Sequence, residues 1–387
     1  MIYLDYNATT PLDPRVLEVM LPFLRENWGN ASSRDHRYGW DAQDAVEQAR
    51  FNVAALIHCK HNEIFFTSGA TESIHLALHG LFKSTHSDGR FLVTTSVEHE
   101  SVLGPSRILK KEGHPFETVS VDDKGNLNFQ MLQSLLASGR VEVFCALAAN
   151  NETGVLFPIR ECAELAHRHG ALFLMDATQA VGKISLDAEL DSFDIAAFSA
   201  HKIYGPKGVG ALYMRGGASD PAFQSFESEG SQESGVRPGT LNVAGIVGFG
   251  EACRLAALEM QEIANRVCLL RDHLEASLRT RIPGVKINGN TESRLPNTAN
   301  LQFPHMDARA FIRDMNDVAV STRSACSSSS SKPSHVLVAM GLTDEEAFSS
   351  VRFSLGKNTT REEIDTAVDI ATASYQRLLG LQRRFSE

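Results

Sequence analysis

The sequence predicts an α/β protein with a large domain built on a mostly parallel sheet flanked by helices, and a smaller α+β domain. Short apolar runs, typical of parallel strands with both faces covered by helices, occur at 64–67 (IFFT), 91–96, 141–148 (VEVFCALA), 171–176 (ALFLMD), 195–200 (IAAFSA) and 209–214. Helical spacing of apolar residues separates some of them, as in 42–57 and 159–169. Ligands of such sheets sit beyond the carboxyl ends of the strands.

The pattern changes near residue 250, which predicts a domain boundary. A long helical stretch from about 245 to 280 precedes a mixed segment and a last helix at about 361–380. We therefore expect a large domain at 13–257, and a small domain made of 1–12 and 258–387. The only low-complexity patch is the serine run at 327–331.

Composition excludes several classes of protein. The 387 residues are 43% hydrophobic and 22% charged, which is ordinary for a globular protein. The net charge of -10 argues against broad electrostatic binding to nucleic acid. Neither a signal peptide nor an apolar run of membrane-spanning length is apparent. The six cysteines are scattered, so we expect reduced thiols, a cytoplasmic protein, and neither a disulfide framework nor a standing metal site.

The first candidate for chemistry is Lys202, in the stretch SAHKIYGPKG that follows a predicted strand. A partly desolvated lysine can lose its proton and form a Schiff base with an aldehyde. A single lysine in a loop is more often solvated and has no catalytic role. The residues around Lys202 therefore determine which interpretation is favoured. Asp176 ends another predicted strand and could keep a pyridinium nitrogen protonated, although a helix N-cap is the ordinary alternative. Gln179 could hydrogen-bond a phenolic oxygen of the same ring.

Polar residues follow the other predicted strands as well. The loop TSGATES, with Thr71, could present backbone N–H groups to an anion or simply cap a helix. Ser199 and His201 could add phosphate contacts. His99 could stack on a planar ring and assist proton transfer, and Asn151 could orient a substrate group or cofactor. A cofactor that carries a phosphate, an aldehyde and a protonated ring would explain the polar residues at all of these strand ends together.

Two residues in the predicted small domain complete the set. Cys326 lies in a loop of small residues at about 321–334 (STRSACSSSSSKPS), where a thiolate would be nucleophilic. An incidental surface cysteine is the ordinary alternative. Arg352, in the short predicted strand of SSVRFSLGK, suits a substrate carboxylate, whereas a surface salt bridge is its ordinary role.

From LDYNATTPLD at 4–13 through DATQAVGK and SAHKIYGPKGVGALY to RFSLGKNTTREEID, the chain resembles the bacterial cysteine desulfurases. These NifS/IscS-like proteins are class V enzymes of the fold-type I pyridoxal-phosphate group. The resemblance implies pyridoxal 5'-phosphate as cofactor, L-cysteine as substrate and L-alanine as product. It implies that Lys202 binds the cofactor covalently and removes the Cα proton, and that Cys326 carries the sulfur as a persulfide.

The resemblance also assigns the remaining residues. Ala70, Thr71, Ser199 and His201 would bind the phosphate, and Asp176, Gln179 and His99 would hold the ring. Asn151 and Arg352 would hold the substrate carboxylate, and Thr240 would reach the cofactor of the second subunit of a homodimer. A sulfur-acceptor or scaffold protein would receive the sulfur, most naturally for iron–sulfur cluster assembly, and a transient cluster could rest on Cys326.

The sequence departs from the family pattern at two places, and alternatives stay open. Arg323 stands where glycine is usual in the cysteine loop, and Ser234 replaces the usual arginine of a glycine-rich segment, so loop motion and acceptor docking are in question. Selenocysteine lyase activity, or sulfur supply for tRNA or DNA thiolation, are the close alternatives. A small-substrate aminotransferase and a non-catalytic cofactor-binding scaffold are the more distant ones.

Overall fold

The structure is a computed structural model that describes residues 1–84, 89–219, 232–322 and 332–386. Its strands are β1 (Ile2–Tyr3), β2 (Ile64–Thr67), β3 (Phe91–Thr95), β4 (Phe116–Val119), β5 (Val141–Leu147), β6 (Leu172–Asp176), β7 (Ile195–Ser199), β8 (Gly210–Met214), β9 (Lys286–Ile287), β10 (Thr298–Gln302), β11 (Val318–Ala319) and β12 (Ser350–Ser354). Its helices are α1 (Pro14–Arg25), α2 (Arg37–Leu56), α3 (Ala70–Ser84), α4 (Glu100–Lys111), α5 (Phe129–Leu136), α6 (Ile159–Arg168), α7 (Val243–Arg281), α8 (Ala308–Asp314), α9 (His335–Ala339), α10 (Asp344–Phe348) and α11 (Arg361–Ser386).

The largest sheet has seven strands in the order β2-β8-β7-β6-β5-β3-β4. Only β8 runs against its neighbours, β2 and β7, and the other pairs are parallel. Strands β3, β5, β6 and β7 therefore end at one edge of the sheet. The mostly parallel α/β architecture predicted from the sequence is confirmed.

Helices cover both faces of this sheet, which explains the apolar runs of its strands. On one face, side chains such as Phe144 pack in a buried cluster with residues of α1, α2, α6 and α7. On the other face, Val143 and Cys145 pack with residues of α3 and α4. Because alternate residues of β5 face opposite clusters, the whole strand is buried and shows no polar alternation.

A third buried cluster lies around the three-stranded antiparallel sheet β12-β10-β9, against α8, α11 and the C-terminal half of α7. Leu4 belongs to this cluster, and β1 pairs in parallel with β11. Helix α7 continues without interruption through residue 257, the predicted domain boundary, so the division into two domains stays a proposal. None of the helices within the described ranges is long and apolar enough to cross a membrane.

Candidate active site

A cavity of about 170 Å³ lies at the edge of the large sheet where β3, β5, β6 and β7 end. Its lining brings together many of the residues selected from the sequence: Ala70, Thr71, His99, Asn151, Asp176, Gln179, Ser199, His201, Lys202 and Arg352. Asn7 and Ala8, which the sequence analysis did not select, also line it. Thr240 is exposed and is not part of this lining, and Cys326 and Arg323 lie outside the described residues.

Lys202 reaches the cavity from a short 3-10 turn, 200–202, that follows β7. Its Nζ donates hydrogen bonds to the backbone oxygens of Asn7, at 2.5 Å, and Ala8, at 2.8 Å. Lys207, the other lysine of the same loop, is exposed. The amine of Lys202 is therefore held at the sheet edge by the N-terminal segment of the chain.

The start of α3 lies at the cavity, where Ala70 and Thr71 line it. The Ala70 N–H donates to the Ser199 hydroxyl at 2.8 Å, which leaves the hydroxyl proton available to a further acceptor. A Cβ on Gly210 would come within 2.6 Å of the Gly69 Cα, so glycine at 210 lets this loop approach the sheet. Helix N-termini favour phosphate; here the Ser68 N–H is bonded to the Glu72 carboxylate and the Gly69 N–H to the Thr67 hydroxyl, so the Ser199 hydroxyl is a donor that this turn leaves available.

His201 lines the same cavity as a neutral imidazole. Its Nδ1 lies 3.0 Å from the Thr9 hydroxyl. Burial, with Lys202, Lys207 and Lys183 nearby, lowers the pKa of His201 to about 4. The ring therefore contributes hydrogen bonding at neutral pH, and the lysines contribute the charge.

His99, the N-cap residue of α4, also lines the cavity. Its Nδ1 accepts a hydrogen bond from the Ser101 N–H at 3.1 Å. Burial lowers the pKa of His99, and Lys202 acts in the same direction. A neutral His99 whose Nδ1 accepts carries its proton on Nε2.

Two carboxyl groups lie at this end of the sheet, and the sequence analysis found only one of them. Asp176 is 6% exposed and accepts a hydrogen bond from the Thr178 N–H at 3.0 Å. Glu98 is fully buried; its Oε1 accepts from the Thr95 hydroxyl at 2.6 Å and the Leu147 N–H at 3.0 Å. Burial, with a contribution from Asp176, raises the pKa of Glu98 to about 8. Glu98 thus keeps its proton near neutral pH.

Arg352 is almost completely buried and lies at the far side of the cavity. Its Nη1 donates to the Asn151 backbone oxygen at 2.9 Å, and its Nη2 to the Asp5 carboxylate at 2.7 Å. Asp5 also accepts from the Ser321 hydroxyl at 2.8 Å. Asp5 thus occupies one side of a guanidinium that could otherwise bind a carboxylate bidentately.

Asn7 connects the two sheets around the site. Its Nδ2 donates to Thr298 at 2.9 Å, and its N–H to the Ser354 hydroxyl at 2.9 Å, both in the smaller sheet. Its backbone oxygen accepts from Gln179 Nε2 at 2.9 Å as well as from Lys202. An asparagine in a loop carries no sequence signal of such a role, because each partner is far away along the chain.

The residues of the cavity fit pyridoxal phosphate. The start of α3 offers donors to a phosphate, Asp176 offers a carboxylate to a ring nitrogen, and Lys202 offers an amine to an aldehyde. The buried Thr178 hydroxyl, which lines the same cavity, has no hydrogen-bond partner within the described residues. A bound polar group is the usual reason for such an orphaned hydroxyl. No cluster of three or more potential metal ligands occurs in the described ranges.

Comparison with known proteins identifies the class first. The aminotransferase class-V family matches residues 2–367, so the chain belongs to that family. A cysteine desulfurase IscS of Anaeromyxobacter sp. (strain Fw109-5) is 44% identical over 377 residues, 97% of this chain and 93% of the relative. Within the class-V family, the chain is therefore a member of the pyridoxal-phosphate-dependent cysteine desulfurases.

Solved structures agree with this assignment. A NifS-like protein superposes with a TM-score of 0.89 at 36% identity, covering 96% of this chain and 98% of the other. SspA in complex with cysteine gives a TM-score of 0.81 at 30% identity, covering 93% and 100%. The fold, the enzyme class and the cofactor predicted from the sequence are confirmed.

Proposed function

We propose that this protein converts L-cysteine to L-alanine and carries the released sulfur as a persulfide on Cys326. The observation that carries the proposal is that Lys202, Asp176 and Arg352 line one cavity. An amine, a buried carboxylate and a buried guanidinium are the groups that carbonyl chemistry on an amino acid requires. Membership of the cysteine desulfurases and the likeness to SspA in complex with cysteine support the choice of substrate.

The proposed roles follow the positions of the side chains. Ala70, Thr71, Ser199 and His201 would hold the phosphate, Asp176 and Gln179 the ring, and His99 would stack on it. Asn151 and Arg352 would hold the substrate carboxylate. For Arg352 this requires a rearrangement, because Asp5 accepts one of its N–H groups at 2.7 Å.

The proton transfers would fall to Lys202 and His99. When bound, pyridoxal phosphate supplies the aldehyde and a ring that takes up electrons from the substrate Cα. Lys202 Nζ would take the Cα proton, since it lies in the cavity and the backbone oxygens of Asn7 and Ala8 orient it there. His99, with its proton on Nε2, can donate toward the reacting group as a general acid.

The sulfur step would belong to Cys326. Its thiolate would attack the substrate Sγ, forming a sulfur–sulfur bond as the carbon–sulfur bond breaks, and the carbon would take the electron pair and then a proton. Support comes from the residues that flank its segment. Ser321 donates to the Asp5 carboxylate, Ser334 donates to the Glu152 carboxylate at 2.5 Å, and His335 Nε2 lies 2.8 Å from the backbone oxygen of Glu98. The described residues on either side of the segment thus bond to Asp5, Glu152 and Glu98, which lie close to the cavity in the chain or in its hydrogen-bond network.

The proposal extends to assembly and delivery. A homodimer in which Thr240 serves the second subunit's cofactor is consistent with the exposure of Thr240 outside the cavity lining. We propose a cytoplasmic enzyme whose acceptor is a scaffold for iron–sulfur cluster assembly, supported by relatives named cysteine desulfurase IscS. Selenocysteine lyase activity and sulfur supply for tRNA or DNA thiolation are the alternatives.

Mass spectrometry after incubation with L-cysteine tests the proposal. One additional sulfur on Cys326 and, after borohydride reduction, a pyridoxyl adduct on Lys202 are expected. A Cys326→Ser variant should lose alanine formation from cysteine and keep activity on selenocysteine. Undiminished cysteine turnover in this variant, or an adduct on Lys207 instead, would contradict the mechanism.

A further inference from the structure

Lys183 is a half-buried lysine beside the site, and the proposed reaction does not use it. It lies in the turn after β6, and its Nζ donates to Gln179 Oε1 at 2.6 Å and to Asn7 Oδ1 at 3.2 Å. Both acceptors are neutral amides, and within the described residues Lys183 forms no ion pair with a carboxylate. The residue is half-buried overall because it also borders a second, apolar cavity beside α7.

Lys183 determines which way the side-chain amide of Gln179 faces. A carboxamide can be turned over without changing its shape, so its orientation depends on its neighbours. An ammonium group can only donate, and it therefore holds Oε1 on its own side. Nε2 is then directed to the Asn7 backbone oxygen at 2.9 Å, and its second hydrogen remains for a ligand in the cavity that Gln179 lines.

The charge of Lys183 also acts on the site. Burial, followed by the charges of Lys202 and Arg352, holds the pKa of Lys183 well below its usual range. In the absence of an anion this lowered pKa disfavours the ammonium form, and the unfavourable environment destabilises the folded chain relative to the unfolded chain, in which the lysine is freely charged. The same arrangement stabilises an anionic group that enters the cavity, because that group supplies the missing opposite charge.

We propose that Lys183 is a positioning residue for the cofactor, which orients the Gln179 amide toward the bound group and supplies positive charge to an anionic oxygen of that group. The inference rests on the proposed function, since it presumes pyridoxal phosphate in this cavity. Lys183 is not a catalytic residue, because it acts through Gln179 and through its charge. A lysine that served only the fold would be expected to stabilise the protein even without the cofactor.

Lys183→Met separates these roles, because methionine keeps most of the length of the side chain and removes its charge. Lys124→Met, in an exposed turn, is the matched control. The full-length dimer is assayed for three quantities: the dissociation constant of pyridoxal phosphate, the pH midpoint of the cofactor's visible absorption band, and the melting temperature before reconstitution. None of these readouts requires turnover.

Three changes are expected for Lys183→Met and none for Lys124→Met. The dissociation constant should rise about tenfold or more, as for loss of a charge-assisted hydrogen bond. The pH midpoint of the absorption band should rise by about one unit, because loss of a cation beside Lys202 favours the protonated form of the lysine-bound cofactor. The melting temperature of the cofactor-free chain should stay equal or increase.

Two results would overturn the inference. One is an unchanged dissociation constant together with an unchanged pH midpoint. The other is weaker cofactor binding with a lower melting temperature of the cofactor-free chain and an unchanged midpoint, which is the signature of a purely structural lysine. If the wild type shows a visible cofactor band and forms alanine from cysteine, either result leaves the proposed function intact. A wild type without any such band would refute both.

Discussion

Replacing Glu98 with glutamine is expected to stabilise the protein by an amount that grows with pH. Glu98 is fully buried, and its Oε1 accepts two hydrogen bonds, from Thr95 and Leu147. Its Oε2 has no hydrogen-bond partner within the described part of the chain. Glutamine reproduces the protonated carboxyl group in shape, keeps the accepting oxygen and replaces the unbonded hydroxyl by an NH2 group that also lacks a partner, so the pH-dependent part of the difference comes from the ionisation.

The magnitude follows from the pKa of Glu98, raised by burial from 4.5 to about 8. Between these two values the folded chain binds more protons than the unfolded chain, so the stability of the wild type falls as pH rises. Each pKa unit corresponds to about 1.4 kcal/mol. The advantage of Glu98→Gln is therefore near zero at pH 4.5, about 3 kcal/mol at pH 7, and about 5 kcal/mol above pH 8.

Urea unfolding followed by far-UV circular dichroism, at pH 5 and at pH 8, measures this difference. The midpoint for Glu98→Gln should exceed that of the wild type clearly at pH 8 and only slightly at pH 5, with equal slopes. Glu117→Gln, at an exposed position of β4, removes the same charge without changing a buried group and serves as control. An advantage of equal size at both pH values, or a loss of stability at pH 8, would refute the reasoning.

Two further predictions concern the cofactor and substrate sites. Gly210→Ala places a Cβ 2.6 Å from the Gly69 Cα, so cofactor affinity in an absorbance titration should fall about tenfold or more, as for loss of a charge-assisted contact. Gly104→Ala, in α4 with no atom within 4 Å of the added Cβ, should leave affinity unchanged and stabilise the helix by about 1 kcal/mol. Arg352→Gln should raise the KM for L-cysteine about 10- to 100-fold; an unchanged KM would show that the substrate carboxylate binds elsewhere.

The large sheet was predictable because its strands are buried on both faces. Runs such as VEVFCALA differ from every helical pattern around them, and β5 covers Val141–Leu147. Strand β4 (FETV) was missed, because it is a sheet-edge strand with an exposed Glu117 and lacks a continuous apolar run. The reversed direction of β8 was also invisible, since apolar periodicity is the same for either direction of a strand.

The site was predictable to the extent that it consists of strand ends. Asp176 and Ser199 end their strands, and a parallel sheet brings such ends to one edge. Asn7, Glu98 and Lys183 could not be found in this way. Asn7 and Lys183 lie in turns where polar residues are ordinary, and the environment of Glu98 depends on burial that three-dimensional packing creates.

The N-terminal segment has a consequence for how the enzyme is made. Asp5 bonds to Arg352, and Asn7 to Ser354, across a separation of 347 residues in each case. At roughly 5–20 residues per second, a ribosome needs about 17 to 70 s to synthesise the chain between them. Throughout that time, Asp5 and Asn7 have no partner strand β12, and Lys202 emerges before its surroundings are complete. Assembly of the cofactor pocket is thus delayed to the end of translation, when nearly the whole chain is available to fold.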